Sequence, residues 1–321
     1  MISILIVNWN TCELLRSCLL SLRAACARFE YEIIAVENAS NDGSAAMIQT
    51  AFPEVRLFAS ETNLGFAEGN NLAYAMAKGD WIWLLNPDTE VVSGAPERLL
   101  EFMEARPRCA AVASALIDAR DGTIQRSCRT FPTPAALWVE AAGLASAYPR
   151  SHRYGFYRMG WWSYRDARPV EQPMASSLMI RRAAIDTIVE MPNGQNLGRT
   201  PEREDVGHSA SSAKKSLHTK EPWLFDPLFP IYFNDVDLCW RLWQAGWEIW
   251  YCPDSHVRHW GGASTSQIKP QMIAESHRSL ERFYLKHWRQ KYAPLLLGLT
   301  LALVRVSGWV RVWRANRRQT L

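Results

Sequence analysis

Two acidic positions, far apart in the chain, offer the most chemistry. The first lies in residues 80–90, where the apolar run Trp81 to Leu85 reads as a buried strand and breaks off at Asn86-Pro87-Asp88. Pro87 cannot donate to a sheet ladder, so the strand stops there. Asp88 then stands just past the carboxyl end of a buried strand, where open α/β sheets bind ligands and where a carboxylate can hold a divalent metal against a diphosphate. Asp88 reads equally well as a helix cap or turn residue. The second position is Phe233-Asn234-Asp235-Val236-Asp237, which opens a helix with Asn234 as its expected N-cap and Gly246 as its end. Acids in a first turn offset the helix dipole by ~0.3–1 kcal/mol each, which accounts for Asp235 and Asp237 without any function. Downstream, a strand over Trp247–Cys252 leads to His256, His259 and Gly261-Gly262; histidines beside glycines are more often structural than ligating.

The elements that must position these groups alternate. Strand signals at Ile2–Asn8, Ile33–Val36 and Val55–Ala59 are separated by helical spacing over Thr11–Ala27 and Ser44–Phe52. A helix over Asn70–Lys78, with Gly79 as its expected C′ residue, leads into the strand ending at Asp88. This alternation predicts an α/β fold, a mostly parallel central sheet with helices on both faces. No Gly-x-Gly-x-x-Gly follows the first strand and no Walker pattern occurs, which excludes standard dinucleotide-binding and P-loop enzymes. The strand ends offer Asn8-Trp9-Asn10 and Glu37-Asn38 instead, polar groups able to read a nucleobase and ribose. Gln172–Arg182 ends in a strand-like Leu178-Met179-Ile180, and Asn193–Lys220, polar and without apolar periodicity, reads as a mobile surface insertion.

With 321 residues, 48% hydrophobic and 21% charged, the chain describes a folded protein of one large or two modest domains. Seven scattered cysteines with no Cys-x-x-Cys pair argue for reduced thiols in the cytosol and against zinc. The N-terminus lacks the basic and long apolar regions of a signal peptide. From Ser266 on there are eleven Lys/Arg against two Glu, a net of +9 within a total of +4. The apolar run Leu295–Val304 is short for a span, which needs ~20 residues. An interfacial helix is expected, with Trp309 and Trp313 as anchors and Arg311, Arg314, Arg317 and Arg318 facing headgroups; packing on the main domain is the alternative. Trp and Leu interleaved with Arg suit a membrane surface better than a nucleic acid.

In order along the chain stand Asn8-Trp9-Asn10, Glu37 to Ser44, Asn63-Leu64-Gly65-Phe66, Leu85-Asn86-Pro87-Asp88, Phe233 to Leu238 and His259-Trp260-Gly261-Gly262. This series resembles the family 2 glycosyltransferases of GT-A fold, in the branch that includes rhamnosyltransferases, over about residues 2–265. The resemblance implies a GT-A domain over 1–265, with an insertion at about 191–222, followed by a basic amphipathic helical extension over 266–321. It implies Asp235 as catalytic base, Asp88 and His259 as holders of Mg2+ or Mn2+, and nucleotide contacts from Asn8, Trp9, Asn10, Glu37, Asn63, Asn71 and Asn86. Acceptor contacts fall to Asp237, Trp240 and Arg241. Glu37, Asn86 and Asn234 stand where the family usually has Asp, Asp and Glu, and Ala175-Ser176-Ser177 lacks the usual Gly.

The activity implied is inverting transfer of a sugar, with dTDP-rhamnose the leading donor, to a lipid-linked or polysaccharide acceptor in cell-envelope glycan synthesis. The expected location is cytoplasmic and peripheral, at the inner face of the plasma membrane. Alternatives are a UDP-hexose or UDP-galactofuranose transferase, or an inert nucleotide- or glycan-binding homologue.

Overall fold

A computed structural model of the chain describes residues 1–190, 223–261 and 269–319. The expected insertion at 191–222 lies outside the described residues.

The amino-terminal half follows the alternation read from the sequence: β1 (Ile2–Asn8), α1 (Cys12–Ala25), β2 (Tyr31–Asn38), α2 (Ser44–Ala51), β3 (Arg56–Ser60), α3 (Gly65–Met76), β4 (Trp81–Leu85), β5 (Thr89–Val91) and α4 (Ala95–Glu104). Then come β6 (Cys109–Asp118), β7 (Cys128–Arg129), α5 (Pro134–Ala141), α6 (Leu144–Ala147), β8 (Arg168–Pro169), β9 (Gln172–Pro173), β10 (Ser177–Arg181) and α7 (Arg182–Glu190). After the undescribed stretch follow α8 (Asn234–Gln244), β11 (Glu248–His259), α9 (Lys269–Phe283), one π-helical turn at Tyr284–Trp288, and α10 (Pro294–Gln319). Nine strands form one sheet in the order β3-β2-β1-β4-β10-β6-β11-β5, with β8 paired to β11.

β1 is buried along its whole length because both faces are covered. Leu5 and Val7 join Ile34, Val36, Ile82 and Leu84 in one core. Ile4 and Ile6 join Ile33, Ala35, Trp83 and Leu85 in the core on the other face. Strand direction sets where the ends meet. β1 to β4 are parallel, and β10 runs antiparallel to both β4 and β6. β6 therefore runs with β4, and β11, parallel to β6, runs with β1. The carboxyl ends of β1, β2, β4 and β11 lie at one end of the sheet.

Of the boundaries that differ from the sequence reading, three do so through long-range contacts or pairing. α3 starts at Gly65, five residues early, because the Phe66 and Ala67 amides donate to the carbonyl of Pro230. Gly79 is not a left-handed cap: a Cβ there would lie 2.7 Å from Met1 O and from Ser3 N. Gly79→Ala is therefore expected to destabilise the protein by about 1–3 kcal/mol in chemical denaturation, since backbone cannot yield as a side chain can. β11 runs through Pro253 to His259 because register shifts between Cys252 and His256 absorb the proline.

The carboxyl-terminal segment shares the main core. Phe283, Tyr284, Trp288 and Leu297 are buried in the same cluster as Trp240 and Phe229. All seven cysteines are free, and burial pushes the thiols of Cys18, Cys26, Cys109 and Cys128 up to about 12, which makes them inert packing groups.

Candidate active site

At the carboxyl end of the sheet opens a cleft of about 320 Å³, and Asp88, His259 and Asp235 all line it. One wall carries Val7, Trp9 and Asn38 from the ends of β1 and β2, with Asn63 and Phe66 from the entry to α3; the rim includes Met174 and Met272. Of the five non-glycine residues at positive φ among the described residues, Asn10, Ala39 and Phe233 sit around this end. Such backbone costs about 1–3 kcal/mol per residue and persists where the surroundings over-determine it.

Strand pairing brings Asp88 to His259. β5 begins one residue after Asp88 and is antiparallel to β11, which sets Thr89 opposite His259. The Trp260 amide donates to the carbonyl of Asp88 at 3.0 Å. His259 Nε2 then lies 3.5 Å from Asp88 Oδ1, with both side chains almost wholly buried. Gln125 fixes the imidazole. Its Nε2 donates to Asp118 Oδ2 and to the carbonyl of His259, which leaves Oε1, 2.8 Å from Nδ1, to accept a hydrogen bond from the N–H of that nitrogen. In the neutral ring Nε2 then turns its lone pair toward a carboxylate, and a cation between them satisfies both.

This pair fits a divalent metal: a hard oxygen and an imidazole nitrogen, the latter oriented by a hydrogen-bonded neighbour. Among the described residues no group of three His, Cys, Asp or Glu could hold a metal. Two protein ligands suit Mg2+ or Mn2+ carried largely by substrate phosphates. Beside them, Asn86 Oδ1 is buried without a hydrogen-bond partner, while its Nδ2 donates to Ser176 Oγ at 3.1 Å. Such an orphan acceptor is costly unless a ligand supplies the donor. Gln125→Ala is expected to weaken Mn2+ binding about 10–100-fold, read by titration calorimetry with nucleotide present.

Asp235 faces the cleft from the first turn of α8. The N-cap is Phe233, at φ 66°, one residue before the expected Asn234, whose side chain instead accepts from the Asp235 amide and donates to Ile231 O. Burial raises the Asp235 pKa, and hydrogen bonds from the Val236 and Ala175 amides only partly offset it. Ala175 and Ser176 thus tie Asp235 on one side of the cleft to Asn86 beside Asp88.

Other expected site residues stand apart from the cleft lining. Asp237 is fully buried and bound to Arg241 at 2.8 Å, Lys286 at 2.5 Å and His287 at 2.7 Å. Trp240 packs edge-on against Phe131 and Trp288. Asp237 and Trp240 therefore join α8 to the carboxyl-terminal segment, Arg241 holds Asp237 and the carbonyl of Leu224, and an acceptor has no access to Asp237. Asn71 spends both ends of its amide on the backbone of Phe225, at 2.7 and 2.8 Å, and holds the chain after the insertion. Glu37 is 3% exposed, and its carboxylate accepts from the Ser40 amide and hydroxyl and from Asn8 Nδ2. Asn8 and Glu37 thus brace the loops at the ends of β1 and β2, and Asn10 caps the Asn41 amide. Asn38 does reach the cleft and clamps the next loop, accepting from Leu64 N and donating to Gly65 O.

Gln125, Ser176 and Met272 were not legible as site residues. Gln125 meets His259 across 134 positions of chain, and no local pattern marks it.

Comparison with known proteins bears on the family and the fold. The chain is 26% identical over 300 residues to an N-acetylglucosaminyl-diphospho-decaprenol L-rhamnosyltransferase of Mycobacterium tuberculosis, covering 90% of this chain and 79% of that one. Its fold is similar to S. aureus TarS in complex with UDP-GlcNAc, with TM-score 0.53, 12% identity and coverage of 94% of this chain and 70% of that one. It is equally similar to the mannosyltransferase PcManGT from Pyrobaculum calidifontis in complex with GDP-Man and Mn2+, with TM-score 0.53, 12% identity and coverage of 98% and 75%. At such identities these structures establish the GT-A fold and no more. Residues 3–163 match the family model for glycosyl transferase family 2. That stretch is half of the chain and carries Val7, Trp9, Asn38, Asn63 and Asp88 of the cleft lining, so this protein belongs to glycosyl transferase family 2.

Proposed function

We propose that this glycosyltransferase is metal-dependent and inverting, and that it moves rhamnose from dTDP-rhamnose to a hydroxyl of a lipid-linked acceptor at the cytoplasmic face of a membrane. The observation that carries the reading is that Asp88 with His259 and the half-buried Asp235 line one cleft. The choice of sugar and acceptor rests on the similarity to the mycobacterial enzyme, whose name specifies rhamnose transfer and a polyprenyl-diphosphate-linked N-acetylglucosamine.

In this reading Trp9, Asn38 and Asn63 hold the nucleotide, and Asn86 Oδ1 accepts from a donor-sugar hydroxyl or a bound water. Asp88 and His259 would hold the metal, which supplies Lewis-acid polarisation of the diphosphate when bound. Asp235 takes the proton of the acceptor hydroxyl as its oxygen forms the new bond to the anomeric carbon. The bond from that carbon to the diphosphate oxygen breaks on the opposite face, which inverts the centre. General-base assistance of this kind is worth about 10²–10⁴-fold, and the raised pKa of Asp235 makes it a stronger base than an ordinary carboxylate.

Purified protein with Mn2+, a short polyprenyl-diphosphate N-acetylglucosamine acceptor and a panel of nucleotide sugars tests the proposal. Release of dTDP from dTDP-rhamnose with a β-configured donor giving an α-linked product, or the reverse, is expected. Turnover only with a UDP-hexose or UDP-galactofuranose would replace the sugar, and no turnover with any donor would sink the enzymatic reading.

A further inference from the structure

α10 carries two apolar stripes on opposite sides. One faces the protein: Leu297 and Val304 are buried, Thr300 accepts from Trp138 Nε1 of α5, and Gly308 seats on His277 of α9, where a Cβ would lie 2.9 Å from the ring. The other is exposed and contains Leu295, Leu299, Ala302, Val306, Trp309 and Trp313, spaced four, three, four, three and four residues apart. Trp309 is 69% exposed and Leu295 76%. At 1.5 Å per residue this stripe is ~27 Å long.

We propose that α10 docks lengthwise on an anionic bilayer, with this stripe at the headgroup–acyl boundary and the opposite stripe still seated on α9 and α5. The partner follows from charge. No Asp or Glu occurs after Glu281, whereas nine Lys and Arg do. Arg311, Arg314 and Arg317 are exposed on the same helix as the stripe, with the Arg317 guanidinium 4.0 Å from the Trp313 ring centroid. A second copy would bring the same basic helix with no carboxylate on it, whereas an anionic lipid surface complements it.

Pro294–Arg317 is also long and apolar enough to cross a bilayer, with mean hydropathy 1.6 over an 18-residue window. Crossing would carry Arg305, ion-paired to Glu281 at the middle of the helix, into the hydrocarbon and strip α10 from α9 and α5. Lying in the plane keeps every one of these contacts. α9 then links membrane to cleft, since Met272 lines the cleft and His277, five residues on, seats α10. This deepens the proposed reading by fixing how a lipid-linked acceptor would approach; the docking itself needs no turnover.

Flotation of the full-length Asp235→Asn protein with vesicles of phosphatidylcholine, with and without phosphatidylglycerol, reads docking apart from activity. Flotation is expected only with phosphatidylglycerol, to weaken at high salt, and to fall at least about tenfold in the Trp309→Asp, Trp313→Asp double variant. That variant is expected to keep its thermal midpoint and nucleotide affinity, because both side chains are exposed. Alkaline carbonate is expected to release the unsubstituted protein. Retention through carbonate would show a spanning helix, undiminished flotation of the double variant would show another docking face, and self-association abolished by the double variant with no flotation would assign the stripe to a second copy. Each of these results overturns the proposal.

Discussion

Asp235→Asn is expected to lower kcat by about 10²–10⁴-fold while leaving nucleotide affinity unchanged, as measured by single-turnover kinetics beside calorimetry. The expectation rests on place as much as on chemistry. Asp235 shares the cleft with Asp88 and receives the Ala175 and Val236 amides, so the isosteric amide keeps the volume and loses only the base. Stability separates this loss from unfolding. Burial raises the Asp235 pKa, so its folded form holds a proton more tightly than the unfolded chain does. Its contribution to stability is present below the unfolded value and lost as pH rises through the folded one. At neutral pH the ionised carboxylate is a cost, and Asp235→Asn is expected to be as stable as the unsubstituted protein or more so. The same shift places the acid limb of kcat above the ordinary aspartate range of about 3.9. A limb at or below that value would contradict the assignment.

Asp237→Ala is expected to destabilise the protein by about 3 kcal/mol, the low end of the range for breaking a buried ion pair. Burial opposes the Asp237 carboxylate, but Arg241, the hydrogen bond from His287 and Lys286 outweigh it and hold its pKa well below the usual range. Removing it strands Lys286, which is 8% exposed, although Lys286 keeps Asp226 at 2.7 Å and Arg241 keeps the carbonyl of Leu224. That retained partnership is why the low end applies. Because the pKa is depressed, the contribution is present above the unfolded value and disappears as pH falls toward the folded one. Urea denaturation at neutral pH and near pH 3 should therefore show the difference between variant and unsubstituted protein shrinking on the acid side. Two aspartates two residues apart thus carry opposite pH signatures, one lining the cleft and one locked in a joint.

Local pattern carried the strands well. The middles of β1, β2 and β4 are buried on both faces, so Ile4–Val7, Ile33–Val36 and Trp81–Leu85 are apolar runs, and Pro87 marks where β4 must end. The family's ordered motifs marked Asp88, His259 and Asp235, which the fold gathers into one cleft. What stayed hidden was set by partners remote in sequence. Pro230 O starts α3, Gln125 orients His259, and Phe225 occupies Asn71. Asp237, Trp240 and Arg241 share a helix with Asp235, and the family resemblance implied acceptor contacts for them. Helical rotation turns Asp237 and Trp240 inward instead, onto Lys286, His287 and Trp288, while Arg241 bonds Asp237 and the carbonyl of Leu224. The charge and Trp content of the carboxyl-terminal segment were plain, but its second role, filling the core with Phe283, Tyr284 and Trp288, required the fold.

The central claim is that one sugar is held between a cation on Asp88 and a base at Asp235. A crystal structure of Asp235→Asn with Mn2+ and the nucleotide sugar it binds, with anomalous scattering to locate manganese, tests it most directly. The account predicts a manganese peak within bonding reach of Asp88 Oδ1 and His259 Nε2, and an anomeric carbon whose open face looks toward residue 235. A manganese bound elsewhere, or a sugar turned away from residue 235, would contradict it.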